Sequence, residues 1–127
     1  MRLVIVRHAE AAPGEPDESR PLTPNGLEQA RVLGRRLRTE LGVPEAVLSS
    51  PLRRARETAA ALDLGEPEPS EHLAPGASAE GVREAVAGRG DTVVVVGHQP
   101  DCGRIAAALG DGSEPRFPPA GVHVVEL

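Results

Sequence analysis

Three short polar segments each follow an apolar run of the sequence, and together they carry side chains that could act on a phosphoryl group. An imidazole can serve as a nucleophile, and a guanidinium group binds phosphate oxygens through paired hydrogen bonds. In chain order the residues are Arg7 and His8, then Ser49, Ser50 and Arg54, then Gly97 and His98. A single His or Arg after a strand is more often structural, but this repetition of His and Arg favours phosphate chemistry.

The elements around these segments predict an α/β fold, a three-layer sandwich with a mostly parallel central sheet flanked by helices. In such a sheet ligands bind beyond the carboxyl ends of the strands, so the three segments are expected at one edge. Strands are predicted over 3–6, 46–48, 92–96 and, weakly, 121–127. Helices are predicted from Thr23-Pro24 to Gly42, from Ser50-Pro51 to 62, over 79–87 and over 102–109, with a loop over 9–22 and an irregular segment over 63–77.

Length and charge exclude several classes of protein. The 127 residues predict one domain over 1–127, and the net charge of −5 argues against binding to nucleic acid or an anionic membrane. Because residues 1–6 are too short for a signal peptide and no run could span a membrane, a cytoplasmic location is expected. No residues stand at metal-ligand spacing, so neither a metal nor another cofactor is predicted.

Four other residues are expected to be solvated, buried or structural, without a part in the chemistry. Arg53 and Arg56 flank Arg54 on a charged helix and are expected to be solvated. Cys102 falls on an apolar helical stripe and is expected to be a small buried residue. His123, in the last strand, is taken as structural.

Four motifs in order give the chain a resemblance to the histidine phosphatase superfamily, whose fold is like that of phosphoglycerate mutase. Its compact members, the SixA-type phosphohistidine phosphatases, lack a large helical insertion and are the most similar in length. Ala9 stands where the Arg-His-Gly signature of the superfamily has Gly. The motifs are Val6-Arg7-His8-Ala9-Glu10, Arg20-Pro21-Leu22-Thr23-Pro24-Asn25-Gly26, Ser49-Ser50-Pro51-Leu52-Arg53-Arg54-Ala55-Arg56-Glu57-Thr58 and Val96-Gly97-His98-Gln99-Pro100.

The resemblance implies a metal-independent phosphatase in which His8 attacks phosphorus and becomes a phosphohistidine that water then hydrolyses. Arg7, Arg54 and His98 would stabilise the charge on the phosphoryl oxygens, and Arg20 would reach the phosphate from its loop. His8 must be neutral to attack, with its other ring nitrogen held by a backbone carbonyl or a side chain.

The resemblance leaves two candidates for the general acid. Glu71 or His72 lies in the stretch that corresponds to the acid-bearing region of larger members, although either could belong to a solvated loop. Phosphohistidine releases an imidazole, which is an easier leaving group than an alkoxide. A phosphorylated protein histidine is therefore the preferred substrate.

Three alternatives remain. They are a phosphatase of small phosphate monoesters, a phosphoglycerate mutase, and a non-catalytic phosphate-binding module. No segment is long enough to enclose a sugar-sized substrate, which disfavours the mutase. A binding module would be expected to lack His8 or an Arg.

Overall fold

A computed structural model describes residues 1–127 as a five-stranded sheet between two layers of helices. The strands lie in the order β3-β2-β4-β1-β5, and all neighbours are parallel except β5, which runs antiparallel to β1. The elements are β1 (Arg2–Arg7), α1 (Pro24–Leu41), β2 (Ala46–Ser49), α2 (Arg53–Leu62), β3 (Pro67–Pro69), α3 (Ala79–Val86), β4 (Thr92–Gly97), α4 (Asp101–Leu109) and β5 (Val122–Glu126).

Successive strand residues point to opposite faces of the sheet and divide the core in two. On one face Val4, Val6 and Val94 pack with α1 and α2. On the other, Ile5 and Val95 pack with α3 and α4. The predicted α/β class with a mostly parallel sheet is therefore confirmed. No helix is both long and apolar enough to cross a membrane.

The first helix begins and ends where its sequence signals predict. The Thr23 hydroxyl accepts a hydrogen bond from the Gly26 N–H at 2.9 Å, and Pro24 occupies the first helical position. Gly42 ends the helix with a φ of 77°, a value that favours glycine.

The predicted start of the second helix is wrong. Helix α2 begins at Arg53, with Leu52 at the N-cap position and no side-chain cap. The Ser50 hydroxyl lies 2.7 Å from Nε2 of His98 and also accepts a bond from the Leu52 N–H at 3.2 Å. Ser50 therefore shapes the turn before the helix and holds a histidine, instead of capping.

The prediction of an irregular segment over 63–77 is also wrong in part. It contains the short edge strand β3 and a 3₁₀ turn over Glu71–Leu73. The two prolines of this strand argue against a strand prediction, because proline cannot donate to a sheet ladder and is tolerated only at an edge. The Ser70 N–H donates to the Ser49 carbonyl at 2.8 Å, which places the turn beside the carboxyl end of β2. The predicted loop over 9–22 likewise contains a 3₁₀ turn, Asp17–Ser19.

Candidate active site

His8 lies at the carboxyl end of β1, in a tautomer that its backbone fixes. Its Nδ1 is 2.8 Å from the carbonyl oxygen of Ala9. A carbonyl can only accept, so Nδ1 carries the proton and Nε2 keeps a free lone pair. Burial lowers the pKa of His8, and the nearby charges of Arg54, Arg7 and Arg20 lower it further against the opposing bond to Ala9. The side chain is therefore neutral at pH 7 and can act as a nucleophile.

His98 faces His8 from the end of β4. The two ring centroids are 5.2 Å apart, and His98 is only 5 % exposed. Burial lowers its pKa to about 4, with further contributions from His8 and Arg54. His98 is consequently neutral in the free protein and offers a hydrogen bond instead of a positive charge. A bound phosphoryl dianion would raise its pKa.

Two arginines bring unused hydrogen-bond donors to the same place. The side chains of Arg7 and Arg54 each have a buried Nε without a hydrogen-bond partner in the protein. Each guanidinium is anchored through Nη1, since Arg7 donates to the Phe117 carbonyl at 3.0 Å and Arg54 to the Asp17 carbonyl at 2.9 Å. Buried donors are normally satisfied, so these two are available to an anionic ligand.

A carboxylate that sequence reasoning did not single out sits between two arginines. One oxygen of Asp17 is 3.2 Å from Nη2 of Arg54, and the other is 3.1 Å from Nη1 of Arg20. Hydrogen bonds from Arg20 and then Arg54 lower the pKa of Asp17. Arg20 also donates to the Ala12 carbonyl at 2.8 Å. Asp17 thus occupies donors that a phosphate oxygen would otherwise use.

Glu71 and His72 make no hydrogen bond or ion pair with this cluster. Both are exposed in the 3₁₀ turn, and the ring of His72 lies 3.8 Å from the Glu84 carboxylate on α3. None of their hydrogen bonds or ion pairs reaches His8, His98 or Arg54. The other predicted residues, Arg7, Arg20, Arg54 and His98, do surround His8.

The residue after His8 is held by a bond across the sheet edge. Ala9 is fully buried, and its N–H donates to the Thr58 hydroxyl at 2.9 Å. That hydroxyl in turn donates to the Arg54 carbonyl at 2.8 Å. Thr58 therefore ties the segment after His8 to α2, and the Ala9 methyl group fits where the signature has Gly.

The sequence analysis gives Thr58 no role, although this residue stands in one of the four motifs. It predicts Ser50 as a strand-end residue and as the start of a helix, not as a partner of His98. Asp17 had no sequence signal, because its contact depends on how the 9–22 segment folds back over α2.

Comparisons with known proteins agree with this geometry. A model of the histidine phosphatase superfamily (branch 1) matches residues 3–74. An uncharacterized protein of Mycobacterium tuberculosis is 33% identical over 137 residues, covering 96% of this chain and 87% of its own length. The histidine phosphatase SixA in complex with tungstate is similar in structure, with a TM-score of 0.90 and 28% identity over 100% of this chain and 88% of that one.

A second SixA structure, from Nakamurella multipartitia, has a TM-score of 0.84 and 29% identity over 97% of this chain and 82% of that one. The family model covers the segments that carry His8 and Arg54. The chain therefore belongs to the histidine phosphatase superfamily, branch 1.

Proposed function

We propose that this chain is a phosphatase that takes a phosphoryl group onto Nε2 of His8 and removes it from a phosphorylated histidine of a protein. The observation that carries the proposal is the pairing of a neutral His8, proton on Nδ1, with the unsatisfied Nε donors of Arg7 and Arg54. A nucleophile and two cationic donors together fit a transferring phosphoryl group.

In this mechanism the lone pair of His8 attacks phosphorus as the bond to the substrate imidazole breaks. The other ring nitrogen of that imidazole carries a proton taken from solvent, so the group leaves as a neutral imidazole. Arg7 and Arg54 donate to the equatorial oxygens, where preorganised charge stabilises the transition state. His98 adds a hydrogen bond and is held in place by Ser50. Water then attacks phospho-His8 and releases inorganic phosphate. The carboxylate of Asp17 must yield its place on Arg54 to the phosphoryl group.

The leaving group argues for phosphohistidine over a phosphate ester. An alkoxide needs a proton donor, but the ring of His72 lies against Glu84 on α3, and no hydrogen bond holds the exposed Glu71 carboxylate towards His8. An imidazole leaves more readily, so a site without a committed acid loses least on a phosphoramidate. The SixA structures similar to this chain are described as histidine or phosphohistidine phosphatases, which supports the same substrate class.

The proposal is tested by measuring kcat/KM for a phosphohistidine peptide and for p-nitrophenyl phosphate, and by trapping the intermediate. Rapid denaturation in alkali followed by mass spectrometry should find phosphate on His8. His8→Ala should lose the label and at least about 10³-fold of the activity while keeping its unfolding midpoint. Labelling of another residue, or a preference for the ester, would contradict the proposal.

A further inference from the structure

A long groove separates α1 from α2 on the side of the sheet that these helices cover, and it is distinct from the His8 cluster. It encloses about 820 Å³. Its floor is apolar, with Leu22, Leu27 and Ala61. Gly34 allows the helices to meet there, since a Cβ at this position would lie 2.0 Å from the Leu62 carbonyl oxygen.

Four arginines line this groove. Arg31, Arg35 and Arg38 stand on α1 over about 10 Å of helix, at 1.5 Å per residue, and Arg53 stands on α2. Together α1 and α2 carry seven arginines against three glutamates, although the whole chain has a net charge of −5. Positive charge is therefore concentrated on these two helices, and four of their seven arginines line the groove.

Little within the protein neutralises these arginines. The side chain of Arg31 makes no hydrogen bond or ion pair. The side chain of Arg35 makes an ion pair only with Glu28, at 3.6 Å, and both of these side chains are exposed. Arg38 donates to the backbone carbonyl of Asp63. Arg53 bonds Glu57 at 2.8 Å. Two carboxylates, Glu57 and Asp63, also line the groove, so its four arginines leave a net charge of +2 there.

One end of the groove borders the active site through a short strap, residues 17–22. Glu57 on the groove wall accepts the Leu22 N–H at 2.8 Å, and Nη1 of Arg53 is 3.5 Å from the Ser19 carbonyl. The same strap holds Arg54 through Asp17. A protein bound at His8 could therefore extend over the strap into the groove.

We infer that the groove docks an acidic segment, interspersed with apolar residues, of the phosphorylated protein that is dephosphorylated at His8. This inference rests on the proposed function for the identity of the partner. Carboxylates match the guanidinium groups, and apolar side chains match the floor. Nucleic acid fits poorly, because the protein has no Trp or Tyr and its one Phe is buried, so no aromatic platform is available for base stacking.

The test uses two phosphohistidine peptides of equal length, one with Glu and Leu along the segment beside the phosphohistidine and one with Ser and Gly there. The wild-type protein should hydrolyse the acidic peptide with a kcat/KM about tenfold higher, through KM, and the preference should shrink between about 0.05 M and about 0.5 M salt. Arg31→Ala/Arg35→Ala should abolish the preference. Arg36→Ala is the matched control, because Arg36 lies on α1 outside the groove and pairs with Glu40.

A binding arm separates this inference from the proposed function. A fluorescently labelled, unphosphorylated acidic peptide should bind the wild type and Arg36→Ala alike, and bind Arg31→Ala/Arg35→Ala about tenfold more weakly, whether or not phosphohistidine is hydrolysed. Equal binding by all three proteins would overturn the inference, as would equal kcat/KM on the two peptides. Binding of inorganic tripolyphosphate in the groove, without binding of the peptide, would overturn it in favour of a small polyanion.

Discussion

The centre and the flank of the active-site edge are built differently. At the centre, the ends of β1, β2 and β4 hold buried or half-buried side chains, each fixed by a hydrogen bond to backbone or to a neighbouring side chain. At the flank, beyond β3, Glu71 and His72 are exposed and bond only within their own turn or to α3. The contrast teaches that the residues proposed to hold a phosphoryl group are preorganised, whereas the two candidate acids are not.

Removing a central arginine should cause the largest loss of kcat/KM and so give the strongest test of the contrast between centre and flank. Arg54→Ala is expected to lower kcat/KM on a small phosphoramidate by about 10²–10³-fold, because a buried donor to the phosphoryl oxygens is lost. Arg56→Ala is the matched control, since Arg56 is exposed on the same helix and donates only to the Pro51 carbonyl. Steady-state kinetics of both variants measure the difference, and equal losses would show that the centre is not set by Arg54.

The buried side chain of His98 should make the free energy of unfolding depend on pH. Its pKa is about 4 in the folded protein and about 6.5 in the unfolded chain, so the unfolded chain binds more protons between these values. The contribution of this group to the free energy of unfolding is complete above pH 6.5. The free energy of unfolding then falls by about 3 kcal/mol as the pH falls towards 4. Urea unfolding at several pH values should show a shallower loss for His98→Gln. Identical slopes for the two proteins would contradict the assignment.

Removing the charge of Asp17, whose carboxylate lies between Arg54 and Arg20, should have a smaller effect on phosphate binding. Asp17→Asn should tighten inhibition by inorganic phosphate by about threefold, because a negative charge no longer competes for Arg54 and Arg20. Glu18→Gln is the control, as this exposed neighbour makes no ion pair. Weaker inhibition in Asp17→Asn would mean that Asp17 instead positions Arg54 for binding.

The flank should matter least. Glu71→Gln and His72→Ala are each expected to change kcat/KM for a phosphohistidine peptide by less than about twofold, because an imidazole leaves without a dedicated acid. The measurement pairs each variant with both the peptide and p-nitrophenyl phosphate. A collapse of ester hydrolysis in one variant, in an enzyme that prefers the ester, would reveal an acid and favour a phosphatase of small esters.

The sequence predicts the strand-end residues well because their positions follow from strand order alone. Once the strands are parallel, His8, Arg54 and His98 must meet at one edge, as they do in the structure. The start of α1 is equally local, since Thr23 and Pro24 act on the backbone next to them.

What the sequence did not predict depends on distant partners. Ser50 resembles an N-cap, but His98 is 48 residues away and holds the same hydroxyl. Asp17 meets Arg54 across 37 residues, through a loop whose path has no periodic pattern. The strand over Pro67–Pro69 exists only because β2 offers it an edge. In each case a tertiary contact, absent from local sequence, decides the structure.

The seclusion of Cys102 has a practical consequence for studying the protein. Burial raises the pKa of this thiol, the only one in the chain, to about 12, so almost no thiolate is present at neutral pH. Alkylating reagents and peroxide act on accessible thiolates, so the activity proposed for His8 should persist in their presence. A cysteine introduced at the exposed Val32 would then be the single reactive handle on α1.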